Sequence, residues 1–312
     1  MGTLREPAAC LIVISLALLA TGCWASTETT VSVTSLPAPT PTVSPTTEPV
    51  DTPMPEATLE RTLEAMEIVT FTILYDNNAY DPALRTDWGF ACMVETGAAT
   101  VLFDTGGNGT ILMGNMAALG FDPQAVDVVV LSHAHGDHTG GLAALLDAGV
   151  KPIIYVPAAF PASFKADVRA RTDLVEVIDP IEILPGIYTS GEVGSSIVEQ
   201  ALMVETGEGL VVITGCAHPG VVQMVRRAKE AVEGGAGRGS ATPLLVMGGF
   251  HLRDASRSQI ETIIADLRDL GVQRVAPCHC TGDVARQMFA DAFGGDCTLA
   301  GVGQVFVVGR RE

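Results

Sequence analysis

Residues 126–131 are apolar but for Asp127, with an unbroken run over 128–131, and the chain then passes directly into Ser132-His133-Ala134-His135-Gly136-Asp137-His138-Thr139-Gly140-Gly141. A short continuous apolar run reads as a strand buried on both faces. His133 and His135, two positions apart, project to the same side of an extended chain. Gly136 permits a sharp turn, so Asp137 and His138 point toward a second position. Gly140 and Gly141 let the following helix pack close behind. One loop thereby offers two ligands to one metal ion and two to another. Imidazole and carboxylate ligands suit Zn2+, as one or two ions, with iron and manganese as the other candidates.

The remaining histidines repeat this placement. The chain has six, His133, His135, His138, His218, His251 and His279, and each falls at a strand-to-loop junction. The hydrophobic pattern predicts strands over 68–75, 89–95, 99–103, 126–131, 153–156, 201–205, 210–213, 244–247, 272–276 and 302–308. It predicts helices over 110–119, 140–147, 219–233 and 256–270. In such an α/β plan the C-terminal ends of the strands share one edge, where ligands converge on one pocket. Met93-Val94-Glu95-Thr96-Gly97 followed by 101–106 also resembles Met203-Val204-Glu205-Thr206-Gly207 followed by 211–215. This points to two related halves, each a strand pair leading into a helix.

The N-terminus has a different composition. Arg5 precedes an apolar run over 8–20 and then Thr21-Gly22-Cys23. The run is shorter than the roughly 20 residues of a membrane-spanning helix and has the length of a signal-peptide core. Leu19-Ala20-Thr21-Gly22-Cys23 resembles a bacterial lipobox, which implies a signal peptide over 1–22 and lipidation of Cys23. Residues 23–66 then form a Thr-, Pro- and Ser-rich tether. The expected location is extracytoplasmic and membrane-anchored through Cys23. Five further cysteines, Cys92, Cys216, Cys278, Cys280 and Cys297, make no disulfide framework. The formal net charge of −18, from 18 basic and 36 acidic residues, disfavours nucleic acid as a partner.

The histidine loop resembles the HxHxDH signature of the metallo-β-lactamase superfamily, and Phe103-Asp104-Thr105-Gly106 resembles its earlier aspartate motif. Tyr75-Asp76-Asn77, Thr214-Gly215-Cys216-Ala217-His218-Pro219-Gly220, Gly248-Gly249-Phe250-His251-Leu252 and Pro277-Cys278-His279-Cys280-Thr281-Gly282 resemble its dihydropterin-synthase-like branch. The resemblance implies a four-layer αβ/βα sandwich over 67–312. It implies that His133, His135 and His218 bind a first metal, and Asp137, His138 and His279 a second. The aspartate that usually bridges the two metals has no counterpart after the 210–213 strand. Cys216 stands there, read as a small buried residue in a tight turn, with thiolate ligation as the alternative. Cys278 and Cys280 are expected to point away from His279 and to pack. Asp104 is expected to orient a ligand histidine. Asn77 and Asn78 either face substrate or form a turn.

These residues predict a metal-dependent hydrolase acting on an ester, phosphoester or related bond of a small molecule, with metal-activated hydroxide as nucleophile. Asp137 would hold the nucleophile as well as the metal, and His251 is the candidate general acid. A synthase-like transferase and a non-catalytic metal-binding lipoprotein are the alternatives. Residues 157–198 are expected in the pocket wall. The sequence leaves the oligomeric state and the substrate open.

Overall fold

Alternation of side chains sets the layers. The structure, a computed structural model, describes residues 68–309 apart from 236, 238 and 239. The expected signal segment, lipidated cysteine and tether lie outside the described residues.

Strands β1 (Val69–Tyr75), β2 (Ala91–Glu95) and β3 (Thr100–Phe103) form an antiparallel meander. Helix α1 (Gly109–Ala118) then crosses to β4 (Val128–Val130), which runs parallel to β3. Short helices α2 (Gly136–Thr139) and α3 (Leu142–Asp147) lead to β5 (Ile153–Pro157), and α4 (Ala162–Arg169) leads to β6 (Leu174–Val177). Parallel neighbours need such crossovers, because a tight turn can join only antiparallel strands.

The second half repeats the plan. Strands β7 (Ile181–Leu184), β8 (Ile187–Thr189), β9 (Leu202–Thr206) and β10 (Gly209–Thr214) are antiparallel. Helix α5 (Val221–Glu233) crosses to β11 (Pro243–Gly249), and α6 (Arg257–Asp269) to β12 (Arg274–Cys278), both strands parallel to β10. Helix α7 (Asp283–Phe293) follows, and β13 (Val305–Val308) returns to pair with β1. The sheets have the orders β13-β1-β2-β3-β4-β5-β6 and β12-β11-β10-β9-β8-β7. The β2–β3 and β9–β10 hairpins, each opening a parallel run, are the two halves that the internal similarity predicted.

Phe71, Ile73, Val94, Phe103 and Val130 on one sheet pack against Leu202, Val204, Val211, Ile213 and Met247 on the other. Their alternates face outward under helices. Leu74, Met93, Leu102 and Val129 meet Ile111, Leu112 and Met116 of α1 and Leu145 of α3. Met203, Val212 and Val246 meet Met224 and Val225 of α5 and Ile260 and Ile264 of α6. Both faces of each sheet are therefore dry, which is why the strands read as near-continuous apolar runs rather than clean alternations. The expected four-layer αβ/βα sandwich is the observed one.

The differences lie at the margins. Residues 157–198, for which no element was expected, contain α4 and β6 to β8. Acidic residues interrupt two of these strands, Leu174-Val175-Glu176-Val177 and Ile181-Glu182-Ile183-Leu184, as suits strands at the sheet edges. Helix α7 was also not anticipated. The single helix expected over 140–147 is two, because α2 begins inside the histidine motif. A Cβ on Gly140 would lie 2.4 Å from the Gly107 oxygen and one on Gly141 2.0 Å from the Thr105 oxygen, so the two glycines do permit the close approach expected of them.

Candidate metal centre

The C-terminal ends of β3, β4, β10, β11 and β12 supply the site. Among the described residues, non-glycine residues with positive φ are Asp104 (55°), Ala217 (60°), His251 (52°) and His279 (48°). Each follows one of these strands within three residues. Left-handed backbone at such positions costs on the order of 1–3 kcal/mol each and persists only where surrounding structure enforces it. Here it turns side chains from separate strands into one space.

Two donor groups meet there. Asp137, His138, Cys216 and His279 form one, and His133, Cys216 and His218 the other, each with its ligand atoms within 4.8 Å of one another. Cys216 Sγ lies 3.2 Å from His138 Nε2 and 3.3 Å from His279 Nε2. Asp137 Oδ2 lies 3.6 Å and 3.5 Å from the same two nitrogens. His135 joins the other group, its Nδ1 3.0 Å from His133 Nε2 and its ring centroid 4.9 Å from that of His218. The histidine and aspartate ligands expected from sequence are thus assembled in one place.

Cys216 is buried, as expected, and its sulfur also belongs to both donor groups, as the ligand alternative requires. Cys278 does pack in the core between the sheets. Cys280 does not point away: its sulfur forms a third group with Cys216 and His251, again within 4.8 Å. The alternation argument fails because residues 279–281 form a tight 3-10 turn rather than an extended segment.

The donor chemistry fits divalent metal. In four of the imidazoles Nδ1 is already engaged, which leaves Nε2 for an ion. His138 Nδ1 donates to Asp104 Oδ2 at 2.7 Å. The Ser132 hydroxyl donates to that same oxygen at 2.7 Å and accepts from His133 Nδ1 at 2.9 Å. His279 Nδ1 donates to Asn77 Oδ1 at 3.0 Å, and His218 Nδ1 to Glu199 Oε1. Partners of this kind fix the tautomer and raise ligand basicity. Asp104 thus supports one imidazole of each group, as expected for one of them.

Electrostatics agree. Burial pushes the His133 imidazole down to about 2 and the His138 imidazole down to about 3. Both rings are therefore neutral at physiological pH, the form that binds metal. Burial pushes the Asp137 carboxyl up, but its hydrogen bond to His279 outweighs this and holds it below the usual carboxylate range. Asp137 is consequently an anionic donor.

Several supporting residues were not legible beforehand. Glu199 is fully buried and also accepts from the Ala217 and His218 backbone N–H groups, at 2.8 Å and 3.1 Å. It lies between β8 and β9 with no flanking motif. Asn77 and Asn78 lie in a turn: Asn78 bonds to Asp76, and Asp76 Oδ2 accepts from the His279 backbone N–H at 2.9 Å. The Tyr75-Asp76-Asn77 segment therefore braces His279. The cavity beside the histidines is walled by Trp88, by residues of 251–263 and by Cys280, with none from 157–198.

The comparisons with known proteins follow this geometry. Residues 89–230 match the family model described as the metallo-beta-lactamase superfamily. The chain is 28% identical over 287 residues to the 7,8-dihydropterin-6-methyl-4-(beta-D-ribofuranosyl)-aminobenzene-5'-phosphate synthase of Methanocaldococcus jannaschii, covering 76% of this chain and 96% of that protein. It is 28% identical to Tm1679, a metal-dependent hydrolase of the beta-lactamase superfamily, with a TM-score of 0.63 over 78% of this chain and 100% of that one. The metallo-beta-lactamase fold protein YhfI of Bacillus subtilis shares the fold at 14% identity, with a TM-score of 0.59 over 78% of this chain and 100% of that one. Sequence match, architecture and donor cluster identify the fold as that of the metallo-β-lactamase superfamily, and the archaeal similarity supports its dihydropterin-synthase-like branch.

Proposed function

We propose that the chain is a metal-dependent hydrolase that cleaves an ester or phosphoester bond of a small molecule. The observation that carries this reading is the pair of donor groups meeting at Cys216. His133, His135 and His218 hold one ion, and Asp137, His138 and His279 the other, with Cys216 shared. A thiol among imidazoles favours zinc over the harder manganese or magnesium. When bound, such an ion acidifies water to near neutral pH and stabilises negative charge on the oxygen of the attacked group.

The chain's own residues supply the rest. Asp104, Ser132, Glu199 and Asn77 hold the imidazoles in one tautomer, so no reorganisation is needed as charge develops. His251 is exposed at the rim, its ring centroid 4.3 Å from that of His218. From there its ring nitrogen delivers the proton that the leaving oxygen needs. Asp137 orients the attacking water through its carboxylate.

Export is part of the same reading. The apolar run over 8–20, Thr21-Gly22-Cys23 and the Pro-rich tether support a lipidated Cys23 outside the cytoplasm. A Cys23→Ser variant is expected to lose labelling by radioactive palmitate and to leave the membrane fraction. Retention of both would remove the anchor from this account.

The decisive test is metal content followed by turnover. Purified protein is expected to carry up to two zinc ions and to hydrolyse some member of a panel of phosphomonoesters, phosphodiesters, lactones and β-lactams. Turnover that survives His133→Ala combined with His135→Ala would sink the assignment. The similarity to the archaeal synthase favours a second reading, group transfer. Product formation that requires a second organic substrate rather than water would establish it.

A further inference from the structure

The cavity beside the donor cluster, about 370 Å³, is lined by Trp88, His251, Arg253, Asp254, Gln259 and Cys280 among others. Its two largest polar or aromatic features are stacked. The Arg253 guanidinium carbon lies 4.1 Å from the centre of the Trp88 ring, and that ring lies 4.8 Å from the His279 imidazole. Both backbones are pinned. A Cβ on Gly89, beside Trp88, would lie 2.3 Å from the Asp137 oxygen, and one on Gly282 would lie 2.7 Å from the Arg253 Cα.

A guanidinium stacked by its face keeps its five N–H donors free at its edge. Among the described residues no hydrogen-bond acceptor or carboxylate partners Arg253, although Asp254 shares the cavity wall. An oriented cation with open donors, beside a metal centre, is an oxyanion receptor. It also answers a problem of the whole chain. A net charge of −18 repels anionic solutes, so an acidic substrate needs local positive charge to be held.

We propose that Arg253, held on Trp88, binds the phosphate or carboxylate oxyanion of the substrate, while the Trp88 edge receives an adjoining apolar group. The hydrolase is therefore selective for acidic small molecules. This inference rests on the hydrolase reading for the word substrate, but the binding it describes can be measured without turnover.

The chain has two tryptophans, Trp24 and Trp88, so the full chain carrying Trp24→Phe reports Trp88 emission alone. The metal-loaded protein is titrated with phenylphosphonate, benzoate and benzyl alcohol. At least one anion is expected to change Trp88 emission and to bind about tenfold or more tightly than the alcohol, the scale of a charge-assisted hydrogen bond. Arg253→Gln should reduce its affinity to that of the alcohol. Arg253→Lys should keep part of the preference, because it retains charge without the planar fork. Tighter binding of phenylphosphonate identifies phosphate as the recognised group, and tighter binding of benzoate identifies carboxylate. Anion binding that is equal in the parent and Arg253→Gln proteins, at equal metal content, overturns the inference. Turnover of neutral esters without Arg253-dependent anion binding overturns the subsite and leaves the hydrolase. Arg253-dependent binding without turnover of any ester or phosphoester does the reverse.

Discussion

Cys216 Sγ lies 3.3 Å from His279 Nε2, although β10 and β12, which deliver the two residues, are separated in their sheet by β11. The same sulfur reaches His138 on the other sheet's loop, so one thiol touches ligands from both halves of the fold. The hydrogen bond with the adjacent Cys280 sulfur, and then burial, raise this thiol, and a bound cation would reverse that by binding the thiolate. Cobalt-substituted protein should therefore show a thiolate-to-metal charge-transfer band in the near ultraviolet. Cys216→Ser should abolish the band and Cys280→Ser should keep it. The opposite pattern would transfer the ligand role to Cys280.

Asp104 tests the supporting network. Its carboxylate accepts from the Ser132 backbone N–H at 2.7 Å, from the Ser132 hydroxyl and from His138 Nδ1, and through Ser132 it also fixes His133. Asp104→Asn keeps the shape but places an N–H₂ where acceptors are needed. Loss of such a partner typically costs 10–100-fold in metal affinity, and here both donor groups should weaken together. Competition with a chromophoric chelator measures this. Affinity within twofold of the parent would show that Asp104 braces the loop and not the ligands.

Those two residues mark how far the sequence could be read. The apolar runs and the histidines were legible because strand burial and ligand spacing are local properties. Asp104 was legible because it sits in a motif at a strand end. Glu199 was not, since as one of 36 acidic residues it has no local signature, and only the folded chain puts it under His218. Cys216 was legible as a buried residue, but that its sulfur belongs to both donor groups depends on where β4, β10 and β12 end in space. Cys280 was misplaced because the sequence does not reveal that His279 adopts φ 48° and turns the chain. The strands β6 and β7 were missed because edge strands tolerate the charges that break an apolar pattern, and β8 because its three residues are too short to show one.

Gly215 offers a steric prediction at the seam between the halves. A Cβ there would lie 2.1 Å from the Ser132 hydroxyl oxygen and 2.9 Å from Asp104 Oδ2. Neither can retreat without breaking the bonds that orient His133 and His138. Gly215→Ala should cost about 1–3 kcal/mol of stability, as overpacking usually does, and should also lower metal occupancy. Urea unfolding of metal-free and metal-loaded protein separates the two effects. A variant with parent stability and full metal content would mean that the seam is looser than the contact distances indicate.

The start of α6 gives a contrasting case, in which stability should move and metal binding should not. Ser256 and Gln259 form a capping box: the Ser256 hydroxyl accepts from the Gln259 backbone N–H at 3.3 Å, and Gln259 Oε1 accepts from the Ser256 backbone N–H at 2.8 Å. The box satisfies donors that a helix start otherwise leaves open. It also fixes the entry of α6, whose Ile260, Ile264 and Leu267 are buried against the second sheet and whose Gln259 lines the cavity near Arg253. Ser256→Ala should cost about 1 kcal/mol. For a domain of this size that lowers Tm by roughly 2–4 °C. No ligand or ligand-orienting residue touches the box, so metal content should equal that of the parent. Because the 252–256 segment carries Arg253, anion affinity should fall modestly while turnover of neutral substrates stays constant. A loss of bound metal would contradict this separation and tie the helix start to the centre itself.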